Sequence, residues 1–240
     1  FRAPRTSING AISPRRIYAF TALPLDDLKA VKAGLGGTVN DVVLAMCSGA
    51  LRHYFDDRGE DLDRALVAMV PISVRSGEQA GDLGNRVSSM LVSLASSVDD
   101  PAERLAAIAE STAGAKEQHQ ALGADLLTEW AELAAPGLAS RAARLYSRMK
   151  LADRHRPLFN LTISNVPGPQ FPLYSFGAQL VANYPMGPIM DGSGLNITVA
   201  SYLGQMFFGL HGDRDSVSDI WSLASGLDDA LEELKKVAGA

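Results

Sequence analysis

The sequence has a single cysteine, and it contains no uninterrupted run of about 18 apolar residues. One cysteine excludes an internal disulfide and fits a reducing cytoplasm. The lack of a long apolar run predicts that there is no membrane-spanning helix. The sequence also lacks the basic–apolar–small pattern of a leader, so we expect no signal peptide. Because the chain begins with Phe1 rather than methionine, we expect it to start inside a longer reading frame or to have been cleaved.

Several patterns that carry chemistry are also missing. There is no Gly-x-Ser-x-Gly elbow, and Gly34-Leu35-Gly36-Gly37 does not match a phosphate-binding loop. None of the four histidines has a second ligand at metal-binding spacing. Cys47 falls within a helical apolar pattern, which predicts a core thiol rather than a nucleophile. We therefore expect no metal site, no bound cofactor and no catalytic residue within these 240 residues.

Composition bounds the fold class. The chain has 240 residues, of which 47% are apolar, so it can bury a core as one large domain or as half of a two-domain enzyme. A net charge of −5 argues against nucleic acid as a partner. About six strands and five or six helices in mixed order predict an α/β (α+β layered) fold, with a mixed sheet flanked by helices. The predicted strands are 16–23, 65–74, 87–94, 158–165 and two runs on either side of Gly204. The predicted helices are 25–33, 38–57, 101–120, 122–150 (interrupted at Pro136-Gly137) and a last helix to about Val237, capped by Ser216-x-x-Asp219.

The segment 158–165 alternates between apolar and polar residues, which predicts a strand with unlike faces. It ends at Ser164 and Asn165, because Pro167 and Pro169 cannot donate to a sheet and Gly168 turns the chain. Two small polar side chains thus lie where a strand opens into a rigid turn, which is a common place for binding groups.

The clearest helix is 38–57, and its first turn carries two candidate site residues. Thr38 and Asp41 have the spacing of a capping box, with the carboxylate at the positive end of the helix dipole. Asp41 is therefore either a local cap or a site residue. Asn40 lies at the edge of the apolar stripe, where a side-chain amide needs a hydrogen-bond partner.

Three arginines share one face of the helix predicted before residue 150. Arg141, Arg144 and Arg148 are three and four residues apart, and Lys150, Arg154 and Arg156 extend the positive charge. This face is either a solvated surface that complements the helix dipole or a binding surface for anionic lipid or for the phosphates of coenzyme A.

Several ordered motifs resemble the bacterial wax ester synthase/diacylglycerol acyltransferase family, specifically its C-terminal half. They are Asn40-Asp41, Ser164-Asn165-Val166-Pro167-Gly168-Pro169 and Pro172-Leu173-Tyr174-x-x-Gly177-Ala178. The likeness runs from the segment starting at Ala3 to the last helix. The His-His-x-x-x-Asp-Gly signature of the family is absent from the sequence. His211 and Asp215 have its His-x-x-x-Asp spacing, but Leu210 and Ser216 replace the flanking residues, so we do not expect His211 to be a catalytic base.

The resemblance implies a fold like half of chloramphenicol acetyltransferase, with residues 1–16 as an extended arm after a domain linker and 17–240 as a C-terminal acyltransferase domain. It implies transfer of a fatty acyl group from acyl-CoA to diacylglycerol or a long-chain alcohol, with acyl-CoA as co-substrate. The general-base histidine would lie on an N-terminal half. Asn40 and Asp41 would support catalysis, and Ser164, Asn165, Val166, Pro167 and Gly168 would contact substrate.

The resemblance also implies partners and a location. The partners would be the N-terminal half, an acyl-CoA and a lipid acceptor, at a cytoplasmic membrane surface or a lipid droplet. Tyr184, Pro185 and residues 191–193 would form a loop that crosses to the other half. Two alternatives stay open: a non-catalytic lipid-binding or membrane-docking module, and the same fold with another acceptor, as in the condensation domains of peptide synthetases.

Overall fold

The computed structural model describes residues 3–62, 64–73, 87–122 and 136–240. In chain order the elements are β1 (Arg16–Pro24), α1 (Leu25–Leu35), α2 (Val39–Asp56), β2 (Val67–Ser73), β3 (Val87–Ser93), α3 (Pro101–Leu122), α4 (Pro136–Arg148), a 3-10 turn (Leu151–Arg154), β4 (Leu161–Val166), β5 (Tyr174–Ser175), β6 (Ala178–Gln179), β7 (Leu195–Tyr202), β8 (Gln205–Asp213) and α5 (Ile220–Ala238).

Six of the strands form one mixed sheet in the order β1-β8-β7-β4-β2-β3. Strand β4 is parallel to both of its neighbours, β2 and β7, whereas the β1–β8, β7–β8 and β2–β3 pairs are antiparallel. The layered fold and the mixed sheet flanked by helices, predicted from the sequence, are confirmed. Strands β5 and β6 form a separate two-stranded hairpin.

Residues that lie opposite one another in the strand register share a face of the sheet, so the two faces can be identified. One row across the sheet is Ala19, Leu210, Ile197 and Ile163, all of them fully buried in the core with residues of the helices. We call this the helix face. The adjacent row contains Tyr18, His211, Asn196 and Thr162. It belongs to the opposite face, which we call the front face.

Helix α2 forms the centre of the helical layer. Its residues are buried on all sides from Asp41 to Leu51, and it packs against α3 and α5. Within the ranges given above, no single helix is both long enough and apolar enough to cross a membrane. Helices α1 and α2 pass that test only as a pair, and they meet at an angle of 99°.

Strand β4 differs from the prediction in that it begins at Leu161 rather than at residue 158, and its polar face is not solvated. Asn160 is fully buried and Thr162 is 7% exposed. The physical reason is that the front face is covered there by chain segments distant in sequence. The N-terminal arm, residues 3–15, lacks helix and strand but packs against the fold, with Ala3 and Ile8 buried.

Asn160 holds the arm to the sheet. Its Nδ2 donates to Pro4 O at 2.8 Å and to Asn9 Oδ1 at 2.7 Å, and its Oδ1 accepts from Val67 N at 2.9 Å. Asn9 Nδ2 donates in return to Asn160 O at 2.8 Å. One buried amide thus joins the arm, β2 and the start of β4, and every polar atom of that amide has a partner.

Pro71 was expected at a sheet edge or a bend. Strand β2 is an interior strand, but it pairs with β4 only at Ala68 and Met69. Pro71 therefore lies beyond the parallel pairing, where the missing N–H costs no bond to β4, and it still lies opposite Ser89 of β3.

Two helix boundaries in the structure also differ from the predicted ones. The N-cap of α5 is Asp219, whose carboxylate accepts from Ser222 N, so the predicted cap at Ser216 is wrong. Ser216 N instead donates to the carboxylate of Asp213. The helix predicted over 122–150 is described only from Pro136, and its earlier part, like the segment 84–86 before β3, lies outside the described residues.

The Asn160 contacts lead to a stability prediction. Asn160→Ala leaves the buried N–H of Val67 and the carbonyl of Pro4 without this partner and removes the bond to Asn9 Oδ1, which keeps only Thr6 Oγ1. We therefore expect the free energy of unfolding to fall by about 3 kcal/mol. Urea unfolding measures this loss. Asn183→Ala is the matched control, because Asn183 is exposed, and we expect it to change stability by less than about 0.5 kcal/mol. Equal effects of the two substitutions would contradict the role given to Asn160.

Candidate functional site

The first turn of α2 is fixed by a reciprocal capping box. Thr38 Oγ1 accepts from Asp41 N at 3.2 Å, while Asp41 Oδ2 accepts from Thr38 N at 2.8 Å and from Thr38 Oγ1 at 2.7 Å. The capping role predicted for Asp41 is therefore confirmed. Asp41 is only 3% exposed, and its Oδ1 has no hydrogen-bond partner among the described residues. That buried oxygen makes Asp41 more than an ordinary surface cap.

The structure brings Asn40 and Asn165 together, although 125 positions separate them in sequence. Asn165 Nδ2 lies 3.5 Å from Asn40 Oδ1, at the long limit of a hydrogen bond, and both side chains are half-buried. Asn165 belongs to the same face of β4 as Ile163, so it points toward the helices, where the N-terminus of α2 presents Asn40. The end of a central strand and the start of a central helix thus form one polar junction.

Ser164 lies on the other face of the sheet from Asn165. It is opposite Thr198 of β7 in the parallel register, on the front face. Its neighbours Val166, Pro167 and Gly168 lead out of the sheet, and Val166 is 50% exposed. The five residues predicted to contact substrate are therefore contiguous, but they divide between two faces at one end of β4.

The turn after β4 is fixed by contact with β7. Gly168 N donates to Ser201 Oγ at 3.0 Å. A Cβ built at Gly168 would lie 2.0 Å from Ser201 O, so only glycine fits there. Pro167 and Pro169 on either side restrict the backbone further. This rigidity agrees with the expectation from the sequence.

Residues 184–190 cross the front face of the sheet and are held there by three hydrogen bonds. Tyr18 Oη donates to Pro185 O at 3.1 Å, Asn196 Nδ2 donates to Pro188 O at 3.2 Å, and His211 Nδ1 lies 2.7 Å from Gly187 O. Partial burial raises the pKa of Tyr18, and the neighbouring Tyr184 adds to the rise, so this hydroxyl stays protonated and able to donate.

Aromatic packing fixes the same crossing segment at its start. Tyr184 packs against Phe20 in a tilted arrangement, with ring centroids 4.5 Å apart, and forms an edge contact with Phe207 at 5.2 Å. Trp221 of α5 makes an edge contact with Phe20, with ring centroids 5.4 Å apart. Sequence reasoning singled out Tyr184 and Pro185 but missed Tyr18, Asn196 and Phe20. The buried polar residues Asn196 and Thr198, which alternate with core residues along β7, were the signal that such a cover exists.

Each histidine with a described side chain contacts a residue outside the Asn40–Asn165 junction. His53 Nε2 lies 3.5 Å from Glu233 Oε1 on the outer side of the helices. His155 Nε2 lies 2.5 Å from Tyr146 Oη, and His211 contacts Gly187 O. The described residues contain no group of three His, Cys, Asp or Glu side chains that could hold a metal ion.

The three arginines of α4 and their neighbours form an exposed basic surface. Arg141, Arg144 and Arg148 are all exposed, as are Lys150, Arg154 and Arg156. Helix α4 packs against the 3-10 turn that follows it, within the described part of the chain. The structure therefore places these arginines on solvent, and within the described residues α4 has no extensive contact with α2 or β4.

Exposed apolar side chains are concentrated in one stretch. Of the seventeen large apolar residues that are exposed in the described ranges, ten fall between residues 166 and 190. They include Phe176, which is fully exposed, Val181 at 83% and Tyr174 at 64%. Ten exposed large apolar side chains within 25 residues are more than an ordinary surface segment carries, and exposed apolar surface of this kind favours an interaction site.

Solved structures with the same fold define the class of protein. The chain superimposes over 99% of its length on the epimerization domain of tyrocidine synthetase B (TM-score 0.56, 13% identity, 53% of that chain). It also superimposes over 97% of its length on a nonribosomal peptide synthetase, FmoA3 (TM-score 0.60, 15% identity, 23% of that chain). At these identities the similarity shows the fold alone. The chain therefore has the fold that these peptide-synthetase domains share.

Comparison with the sequence models of protein families then identifies the family. The sequence model of the WS/DGAT C-terminal domain matches residues 83–235, and that of the wax ester synthase/diacylglycerol acyltransferase catalytic domain matches residues 1–43. The chain therefore belongs to the wax ester synthase/diacylglycerol acyltransferase family, as its motifs predicted.

Individual relatives agree with this assignment. A protein of Mycobacterium tuberculosis strain H37Rv, provisionally named a diacylglycerol O-acyltransferase, is 44% identical over 245 residues, covering 100% of this chain and 52% of its own length. The solved wax ester synthase/diacylglycerol acyltransferase of Marinobacter aquaeolei VT8 is 32% identical, with a TM-score of 0.75 over 99% of this chain and 53% of that one. The chain thus spans about half the length of the relatives it matches.

The burial of Cys47 predicts that it is chemically inert. Burial raises the pKa of the Cys47 thiol to about 12, so little thiolate is present at pH 8. We expect no reaction with iodoacetamide in the native state at pH 8 and complete reaction after unfolding in guanidinium chloride, as measured by mass spectrometry. Fast labelling of the folded protein would contradict the burial of this side chain.

Substitutions at two adjacent positions of α2 distinguish the contribution of the cap to stability from that of the polar junction. Asp41→Ala removes the capping box, so we expect the free energy of unfolding to fall by about 1–2 kcal/mol. Asn40→Ala removes one long amide contact, so we expect a change below about 0.5 kcal/mol. Urea unfolding of both variants measures the difference. A larger loss from Asn40→Ala would mean that Asn40 is chiefly a structural residue.

Proposed function

We propose that this chain is the C-terminal half of an O-acyltransferase that moves a fatty acyl group from acyl-CoA to diacylglycerol or to a long-chain alcohol. The general-base histidine of the reaction lies on an N-terminal half that meets this chain along residues 166–190. Asn40 and Asn165 contribute polar groups at the edge of the shared cleft, and the Pro167-Gly168-Pro169 turn shapes its wall. Acyl-CoA is the co-substrate, and no other cofactor takes part.

The observation that carries this proposal is the exposed apolar surface of residues 166–190. About 28 residues separate β4 from β7, and apart from the short β5–β6 hairpin they form no regular structure. Long connections of this kind are usually functional. Covering side chains such as Phe176 and Val181 requires a partner surface, and an apolar passage between two such surfaces suits an acyl chain.

The position of the Asn40–Asn165 junction supports the same arrangement. Acyl transfer from a thioester to a hydroxyl requires a base to take the proton and hydrogen-bond donors for the negative charge that develops on the carbonyl oxygen. Asn165 is the last residue but one of β4, the strand that leads into the apolar segment, so its amide lies close to the start of that segment. The contacts of His53, His155 and His211 leave these imidazoles committed elsewhere, which favours a base from the other half.

The competing functions have less support. The relatives are named as acyltransferases, so a non-catalytic lipid-binding module lacks support as the whole function. The same fold serves peptide synthetases, but those similarities are at 13–15% identity and extend to the fold alone. Fatty acyl transfer to a lipid alcohol is therefore the function that family membership and the apolar surface support together.

Activity of separated and combined halves tests the proposal. The natural full-length polypeptide and the 240 residues alone are compared, with labelled palmitoyl-CoA as donor and dioleoylglycerol or hexadecanol as acceptor. We expect labelled triacylglycerol or wax ester from the full-length protein and none above background from the 240 residues. Adding the separately expressed preceding segment should restore product. Enzyme-like turnover by the isolated 240 residues would overturn the assignment of the base to the other half.

A pair of valine substitutions tests the interface itself in that reconstitution. Val181 lies in the apolar segment and Val237 near the end of α5, and both are exposed. Val181→Ser should weaken association of the two halves about tenfold, because it removes buried apolar area worth roughly 1.5 kcal/mol, whereas Val237→Ser should leave it unchanged. Equal effects would mean that the segment 166–190 is not the contact.

A further inference from the structure

Helix α4 combines exposed apolar and cationic side chains in a way that the proposed transfer reaction does not use. Leu145 is 57% exposed and Met149 is 45% exposed. Met149 directly follows the helix, and its N–H donates to Leu145 O at 2.9 Å, so it continues the helical turn and lies on the same side as Leu145. Leu158, a few residues beyond the 3-10 turn, is 77% exposed.

The three arginines flank that apolar stripe on one side. At 100° per residue, Arg141 and Arg148 lie 40° and 60° from Leu145, and Arg144 lies 100° from it on the same side. Their long apolar stems can lie along the stripe while the guanidinium groups extend beyond it. All three side chains are exposed. This is the pattern of a helix that lies in a membrane–water interface, where the apolar side enters the lipid and the cations meet the headgroups.

The charge of the residues in and after α4 indicates what kind of partner this helix would bind. The chain as a whole has a net charge of −5. Between residues 141 and 156, however, Asp153 is the only acidic residue beside Arg141, Arg144, Arg148, Lys150, Arg154 and Arg156, and Asp191 from outside this stretch also lies near Tyr146. The Oδ1 of Asp153 accepts a hydrogen bond from Ala11 N at 2.7 Å. The basic surface is therefore local and set against an acidic background, which fits an anionic partner.

The attachment of α4 to the rest of the chain leaves its apolar stripe free. On the helical wheel, Tyr146 lies about 100° from Leu145 and on the opposite side from the arginines. Its hydroxyl contacts His155 Nε2 at 2.5 Å, and the two rings are 5.9 Å apart. Helix α4 is thus tied down along the Tyr146 side, and within the described residues Leu145 and Met149 remain exposed.

We propose that α4 and the basic residues that follow it form a docking surface for an anionic lipid bilayer, in which Leu145 and Met149 enter the interface and Arg141, Arg144 and Arg148 bind lipid phosphates. The surface is separate from the Asn40–Asn165 junction and acts without any chemical step. It would hold the enzyme on the membrane that contains a lipid acceptor. The inference is independent of the proposed reaction, because its readout is binding alone.

Co-sedimentation with vesicles tests the proposal on the full-length natural protein. Vesicles of phosphatidylcholine alone are compared with vesicles that also contain phosphatidylglycerol. We expect binding to the anionic vesicles, and we expect it to weaken steeply in about 0.5 M sodium chloride because salt screens exposed charges. Equal binding to neutral and anionic vesicles, or no binding to either, would overturn the proposal.

Two sets of variants assign the binding to this helix. The triple variant R141E/R144E/R148E should lower the partition coefficient onto anionic vesicles by about a hundredfold or more, from the contribution of each cation near a charged surface. The double variant L145Q/M149Q should lower it about tenfold or more by removing the inserted side chains. Circular dichroism confirms that each variant is folded.

The matched control is K32E/R214E/K236E, which makes the same change in net charge at three exposed cations on other elements. We expect it to bind anionic vesicles within about threefold of the unchanged protein, since those cations lie outside the surface. Equal losses in the control and in R141E/R144E/R148E would show that net charge alone governs binding. If the α4 variants instead separate the two halves while vesicle binding persists, the helix is a protein contact and the proposal is wrong.

Discussion

The rest of the fold depends on the position of β4, a strand with a parallel neighbour on each side. Parallel strands in the middle of a sheet are buried on both faces, so β4 needs a cover on each. The helices supply one cover, over Leu161 and Ile163. The N-terminal arm and residues 184–190 supply the other, through hydrogen bonds to Asn160, Asn196 and their neighbours. At the end of β4 the burial decreases, because Asn165 is half-buried and Val166 is 50% exposed.

The boundary of α2 and the candidate site share the same few residues. Asp41 closes the capping box with Thr38, and this fixes the direction in which the first turn of the helix leaves the loop. Asn40, inside that turn, is thereby aimed at Asn165. A helix cap is worth about 1 kcal/mol in stability, but its geometric effect extends to any group in the first turn. The local role of Asp41 and the site role proposed for Asn40 are therefore compatible, since the first supports the second.

Local sequence patterns predicted those elements that are determined by residues close together in the sequence. The capping box of α2, the strand β1 and the β7–β8 hairpin around Gly204 each depend on residues within a few positions of one another, and each was found. The cover of the front face was not predictable in this way. Asn160 bonds with Asn9, which is 151 positions away, and His211 contacts Gly187, which is 24 positions away. Neither contact produces a periodic pattern in the sequence from which it could be predicted. The cap of α5 was misplaced because Ser216 and Asp219 both suit a cap, and only the contact of Ser216 with Asp213 decides between them.

The segment 166–190 has two unlike sides, and this difference bears on its purpose. Its inner side is shaped to the sheet, because a Cβ at Gly187 would lie 2.4 Å from Asn196 Oδ1, and a Cβ on the facing Gly209 would lie 1.7 Å from Pro185 O. Its outer side carries exposed apolar groups such as Phe176 and Val181. A loose loop would need neither glycine, and an ordinary surface loop would not be apolar outside. An inner side fitted to the sheet and an apolar outer side are what a segment at a protein interface requires, and this agrees with the contact proposed above.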